Sequence, residues 1–337
     1  MNMAGDPSAS NSGPPVSRSP AGIRTAAVGL AMGAADIVPG VSGGTVALIL
    51  GVYQRLLEAI SSFDAEFLGF VRRGKLAEAA GHIDLRFLVL LAGGILSGVV
   101  GLAGLMSHLL THHREATYAA FFGLILASGI IVGRMARPEG SGEKALGFAL
   151  GIIAAIFAFW LMTLGRFDPI GGLPYTFVCG AIAICAMILP GVSGAYLLLM
   201  LGKYEDITDI LHRLPKLDVT SADIATVAVF CVGCLTGLLL FSRLLKWLLA
   251  RHWSPTMSVL CGFMIGSLYR VWPWQIDTTP EVEKFKKKVF EPIMPEAFES
   301  GVITCLVIAA VAFAVVLTAE AMAAKHGAPA QKSPDAE

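Results

Sequence analysis

The chain has 337 residues, of which 55% are hydrophobic and only 15% charged, with a mean hydropathy of +0.70. An ordinary soluble domain is about 25% charged, so this composition excludes one and points to an integral membrane protein. The 25 basic and 25 acidic residues cancel, which removes the basic footprint expected of a nucleic-acid binder.

Residues 1–20 are rich in Ser, Pro and Gly and carry no apolar run. They read as a disordered tail and not as a signal peptide. The first apolar segment, 25–53, is interrupted by Pro39-Gly40-Val41-Ser42-Gly43-Gly44. As one helix it would run roughly 43 Å, well beyond a hydrocarbon core of about 30 Å. Cut at Pro39-Gly40, it becomes two arms of about 14 residues, near 21 Å each, and neither crosses alone. A re-entrant helical hairpin fits better than a span. Between 54 and 86, Leu56, Leu57, Ile60, Phe63, Phe67 and Phe70 share a segment with Arg72, Arg73 and Lys75. That pattern predicts an amphipathic helix lying along the membrane interface.

Single spans are predicted over 87–110, 117–134 and 145–164. A second interrupted segment follows at 173–202, carrying Pro190-Gly191-Val192-Ser193-Gly194-Ala195, and then spans over 223–249, 256–272 and 301–322. Residues 323–337 read as a second disordered tail.

The two interrupted segments are copies. Residues 39–53 and 190–204 agree at nine of fifteen positions, among them Leu48/Leu199, Gly51/Gly202 and Tyr53/Tyr204. Farther on, at an offset of 139, Gly94, Gly98, Thr117, Gly123 and Ser128 recur as Gly233, Gly237, Thr256, Gly262 and Ser267. The expected fold is therefore an all-α polytopic membrane protein of two repeats, 21–166 and 167–322, each a re-entrant hairpin plus three transmembrane helices. A hairpin that does not change sides, followed by three spans that do, makes the repeats inverted. Crossing hairpins would make them parallel. Lys/Arg bias is compatible with either arrangement; arm length favours the re-entrant one, with both termini cytoplasmic. Trp160, Trp247, Trp253, Trp272 and Trp274 fall near span ends, as belt aromatics do.

Proline withholds an N–H and ends the first arm; glycine permits the reversal. The Ser-Gly pair opens the second arm, whose first N–H groups have no intrahelical partner. Such an end favours an anion through its dipole and free donors. The candidate substrate-binding residues are Pro39, Gly40, Ser42, Gly43, Gly44 and Thr45, with Pro190, Gly191, Ser193, Gly194 and Ala195. An interrupted segment in each half is the usual pointer to a transporter's binding site. The alternative is a Pro-Gly kink in closely packed helices. Asp36, three residues before Pro39, is the only acidic residue deep in either hairpin, and its repeat partner is Met187. It is a candidate for proton coupling or for gating release, against a plain cap or ion pair. Arg24, Arg55 and Arg270 are the candidate countercharges; Arg86, Arg134 and Arg243 read as interfacial anchors. No catalytic residue is expected. The six cysteines lie in apolar stretches, with Cys231 and Cys234 forming a CxxC that has no second ligand pair. Neither a metal nor a cofactor is expected.

The runs Met32-Gly-Ala-Ala-Asp36-Ile-Val-Pro-Gly-Val-Ser-Gly-Gly-Thr45 and Ala186-Met-Ile-Leu-Pro-Gly-Val-Ser-Gly194 resemble the signatures of the bacterial polyprenyl-phosphate transporter family (PopT-like, formerly a domain of unknown function). Phe121–Ser128 and the run 266–274, which includes Arg270, are similar to it as well. The resemblance covers about 21–320. It implies a flippase in the bacterial cytoplasmic membrane that returns undecaprenyl phosphate from the outer to the inner leaflet, for reuse in peptidoglycan and other envelope polymers. Its partners would be the polyprenyl-phosphate lipid and the membrane. Position 195 departs from the pattern, with Ala where a small hydroxyl residue is expected. Integral undecaprenyl-pyrophosphate phosphatases also pair re-entrant hairpins, but their Pro-Gly-x-Ser-Arg-Ser phrase supplies an arginine absent here. A small-anion secondary transporter is the other alternative.

Overall fold

The computed structural model describes residues 21–37, 42–136, 138, 140–165, 167, 171–278, 290–295 and 300–325. Residues 1–20 and 326–337 lie outside the described residues, as do Pro39 and Gly40 of the first phrase, whereas 323–325, expected in the second tail, belong to the last helix.

Helices dominate. The first half contains α1 (Ala21–Asp36), α2 (Gly43–Ile49), α3 (Tyr53–Ser61), α4 (Ala65–Arg72), α5 (Leu76–His82), α6 (Leu85–His112), α7 (Arg114–Met135) and α8 (Ser141–Thr163). The second contains α9 (Leu173–Ile188), α10 (Gly194–Met200), α11 (Tyr204–Arg213), α12 (Ser221–Arg251), α13 (Trp253–Ser267) and α14 (Ser300–Lys325). Between α13 and α14 lies a ribbon of β1 (Gln275–Asp277) and β2 (Phe290–Pro292), paired antiparallel with Ile276 opposite Glu291. Nothing in the apolar pattern announced it.

Among the described residues, five helices are long and apolar enough to cross a membrane: α6, α7, α8, α12 and α14. The sixth expected span, 256–272, is not among them. Its helix, α13, has 15 residues, about 22 Å. A 3-10 turn over Leu268–Val271 adds about 8 Å. The helix starts at Trp253, directly after the turn at His252 that ends α12, and stops at Ser267, where the 3-10 turn takes over. Met257 and Met264 are fully enclosed and Leu260 nearly so; protein rather than lipid surrounds this helix. By contrast Leu96, Val100, Phe148, Ile156, Leu240 and Val311 project from the long helices as exposed apolar side chains. A lateral surface of that kind suits hydrocarbon, and the molecule is a multi-pass membrane protein.

Three other expectations change. The second arm of each interrupted segment is itself broken, at Gly51 (φ 72°) and at Gly202 (φ 69°). The left-handed backbone there ends α2 and α10 after seven residues apiece. The 54–86 region forms three short helices in place of one. Asp64 starts α4 by accepting from the N–H groups of Glu66 and Phe67. Trp253 is no belt residue: it is buried and donates its indole N–H to the Met135 carbonyl at 2.9 Å.

The glycines that recur between the halves do equivalent jobs. A Cβ on Gly94 would overlap the Ala26 carbonyl oxygen, and one on Gly233 that of Phe177. Gly98 meets Leu30 in the same way, and Gly237 meets Ala181. These contacts place α6 beside α1 and α12 beside α9. Each pair runs parallel, because later residues of one helix meet later residues of the other. Gly22, near the start of α1, lies beside Arg86 and Leu90 at the start of α6. The segment 37–84 therefore returns the chain to the end where α1 began. The exchange between halves is just as regular: Gly123 of α7 abuts Ala309 of α14, and Gly262 of α13 abuts Gly151 of α8.

Candidate functional site

The two Pro-Gly phrases touch. The Gly191 N–H donates to Thr45 Oγ1 at 2.8 Å, and both residues are buried. Ser42 Oγ donates to the Leu189 carbonyl at 3.4 Å, and the Tyr53 hydroxyl to that of Ile188 at 2.9 Å. Gly191 sits at φ 85°, and a Cβ there would be 2.7 Å from the Met264 Cα of α13. Only glycine fits that turn against that helix. α1, α2, α9, α10 and α13 thus converge on one place.

Equivalent N–H groups are used differently in the two halves. At the start of α2, the Gly43 N–H donates to Asp36 Oδ1 at 2.7 Å. Gly44 N–H donates to Ser42 Oγ at 3.2 Å, and Thr45 N–H to the Ser42 carbonyl at 3.0 Å. The donors read from the sequence as an anion site are therefore already taken, the first of them by a carboxylate. At the start of α10, Tyr196 N–H donates to Ser193 Oγ at 3.4 Å. The N–H groups of Gly194 and Ala195 have no partner among the described residues, and Ala195 is exposed. Met187 stands where Asp36 would be, and it lies against Gly194.

The four charged candidates separate into two pairs. Asp36 and Arg270 lie at the phrases. The Arg270 guanidinium sits 4.6 Å from the Tyr196 ring centre and donates to the Phe290 carbonyl at 3.2 Å. Arg55 is held elsewhere, in an exposed 2.7 Å ion pair with Asp84 and over the Phe87 ring. Arg24 is exposed in the first turn of α1, twelve residues or about 18 Å of helix before Asp36.

Arg114, which the sequence did not single out, lies beside Arg270. Its guanidinium stacks 3.5 Å from the Phe290 ring centre and donates to Gln275 Oε1 at 2.8 Å. Gln275 in turn donates to the Arg270 carbonyl at 3.0 Å. The signal available was positional: Arg114 opens α7 and Arg270 follows the end of α13, so antiparallel packing of those helices brings them together. Trp253 against Met135 marks the opposite end of the same pair.

The cysteines are all free, and three of them join helices: Cys185 Sγ reaches the Gly237 carbonyl at 3.7 Å, Cys234 Sγ that of Gly180 at 3.4 Å, and Cys261 Sγ that of Gly129 at 3.2 Å.

Helices that cross, broken helices that meet between them and glycines repeated in both halves are the build of a membrane transporter. Residues 32–289 match the family described as VCA0040-like, undecaprenyl phosphate translocase-like, and the chain belongs to that family. A polyprenyl-phosphate transporter of Vibrio cholerae serotype O1 is 42% identical over 248 residues, covering 73% of this chain and 76% of that protein. A polyprenyl-phosphate transporter of Staphylococcus aureus is 31% identical over 255 residues, covering 73% and 84%. No solved structure matches the chain.

Proposed function

We propose that the chain is a flippase that carries undecaprenyl or another polyprenyl phosphate from the outer to the inner leaflet of the bacterial cytoplasmic membrane. The carrier lipid is thereby returned for envelope synthesis, including peptidoglycan. The observation that carries this reading is the direct contact of the two Pro-Gly phrases, Gly191 N–H to Thr45 Oγ1, deep within a helical bundle whose flanks are apolar. The names of the two relatives supply the lipid class.

In this reading each interrupted segment is a re-entrant hairpin. The parallel run of α1 with α6, their starts level, supports that, since a crossing segment would leave the two helices antiparallel. The repeats are inverted; the opposed directions of α7 and α13, which hold equivalent places in the two halves, support it. Both termini are cytoplasmic.

Phosphate meets the chain first at the open N–H groups of Gly194 and Ala195, with the Ser193 hydroxyl beside them. Ser42, Gly43, Gly44 and Thr45 join only when Asp36 lets go of Gly43. A carboxylate and a phosphate compete for the same donor, so protonating Asp36 frees it for the lipid. Asp36 is then the gate and the proton-coupling residue. No bond is broken in the substrate, so the protein is not an enzyme.

The test is leaflet-to-leaflet movement of undecaprenyl phosphate in proteoliposomes. Movement well above that in empty vesicles is expected. Uptake of inorganic phosphate or sulfate without lipid movement would replace the reading by small-anion transport. Release of phosphate from undecaprenyl pyrophosphate would replace it by hydrolysis.

A further inference from the structure

Two half-buried guanidinium groups meet at one end of the α7–α13 pair, and neither has a carboxylate partner among the described residues. Arg114 and Arg270 grip Phe290 from two sides, Arg114 on its ring and Arg270 on its carbonyl. Gln275 ties the Arg114 side chain to the Arg270 backbone. Glu115 and Asp277 are within electrostatic range of Arg114 but form no ion pair with it. Arg114 Nε is buried and unpartnered, and so is Trp274 Nε1 in the neighbouring turn. A guanidinium offers five donors, and a buried donor left unpaired is costly.

A cavity of about 410 Å³ at the α9–α11–α12 junction is lined by Lys203 and Arg213, but Lys203 pairs with Asp206 at 2.8 Å and Arg213 with Asp223 at 3.2 Å. Around Phe290, by contrast, two arginines converge with a donor to spare.

The geometry points to a phosphomonoester seat formed by Arg114 and Arg270, closed over by the β1–β2 ribbon and adjoining the second Pro-Gly phrase. A phosphomonoester carries a charge of about −1.5 to −2 and three acceptor oxygens, which matches two guanidinium forks. Tyr196 holds Arg270 from the α10 side, so the seat adjoins the open N–H groups of Gly194 and Ala195. The lipid headgroup waits at the arginines and passes from them to the hairpin. This deepens the transport reading above and rests on it for the lipid tail.

The test uses the full chain in detergent, with farnesyl phosphate, farnesol and inorganic phosphate as probes. Arg114→Gln and Arg270→Gln are each expected to weaken farnesyl phosphate binding at least tenfold, leaving farnesol unchanged, with partial recovery in Arg270→Lys. On the parent chain, farnesyl phosphate should protect both arginines from phenylglyoxal, mapped by mass spectrometry, and farnesol should not. That arm does not depend on any variant folding. Equal binding by both Gln variants, or unprotected arginines in a chain that binds farnesyl phosphate, would overturn the seat alone. A parent chain that binds inorganic phosphate as tightly as the lipid keeps the seat and overturns its lipid source. A parent chain that binds no phosphate probe overturns both readings.

Discussion

The phrases 39–53 and 190–204 share nine residues and, over 42–53 and 193–204, fold alike, yet they are finished differently. In both, serine opens a seven-residue helix and a left-handed glycine closes it. The differences lie where the copies disagree. Asp36 pairs with the first helix start; Met187, packed against Gly194, offers the second no acceptor. Thr45 is short and reaches the other phrase, whereas Tyr196, its counterpart, spans outward to the Met162 carbonyl at 3.1 Å and to Arg270. Shared residues build the scaffold, and unshared residues give each phrase its own chemistry.

That division can be tested position by position. Gly94→Val and Gly233→Val should have the largest and most equal effects, since each forces a side chain into a backbone carbonyl of the neighbouring helix. Overpacking of this kind costs about 1–3 kcal/mol or more. Thermal unfolding in detergent should fall for both; a large loss for one alone would break the equivalence of the halves. Thr45→Val comes next. It strands the buried Gly191 N–H at a cost of about 1–3 kcal/mol, whereas Tyr196→Phe loses one part-buried bond worth about 1 kcal/mol. Equal losses would erase the asymmetry between phrases. Arg55→Gln should change stability by about 0–1 kcal/mol and leave lipid movement intact, because its pair with Asp84 is exposed and involves neither Asp36 nor Arg270.

The smallest effect concerns α4, which has no counterpart in the second half. The N–H of Phe67, followed by the side chain of His82 and the N–H of Glu66, holds the Asp64 carboxyl below the usual carboxylate range. A lowered carboxyl contributes stability above its unfolded value and loses it as pH falls through the folded one. Proteolysis within 65–75 should therefore rise slightly in acid for the parent chain, and Asp64→Asn should remove that acid component.

Much of this was legible in the sequence because close backbone approach demands glycine, and glycine recurs at a fixed offset. Gly94/Gly233 and Gly98/Gly237 stood out as matches before their packing was visible. The length of α13 was not legible, since hydropathy over 256–272 does not tell a helix wrapped in protein from one facing lipid. The ribbon escaped because three-residue strands leave no period to read. Arg114 escaped because an arginine at a span end looks like an anchor; only the antiparallel meeting of α7 with α13 sets it beside Arg270. The capping of Gly43 by Asp36 was within reach, since a carboxylate a few residues ahead of a helix start is a natural acceptor for it.

The central claim is that Asp36 shuts the first phrase while the second stays open. The most direct test is undecaprenyl phosphate movement in proteoliposomes, with and without an imposed proton gradient, for the parent and Asp36→Asn. Asparagine keeps an acceptor for the Gly43 N–H but cannot titrate. The parent should respond to the gradient, and the variant should move lipid at a rate indifferent to it. A variant that responds as fully as the parent would contradict the claim and leave Asp36 as a structural cap.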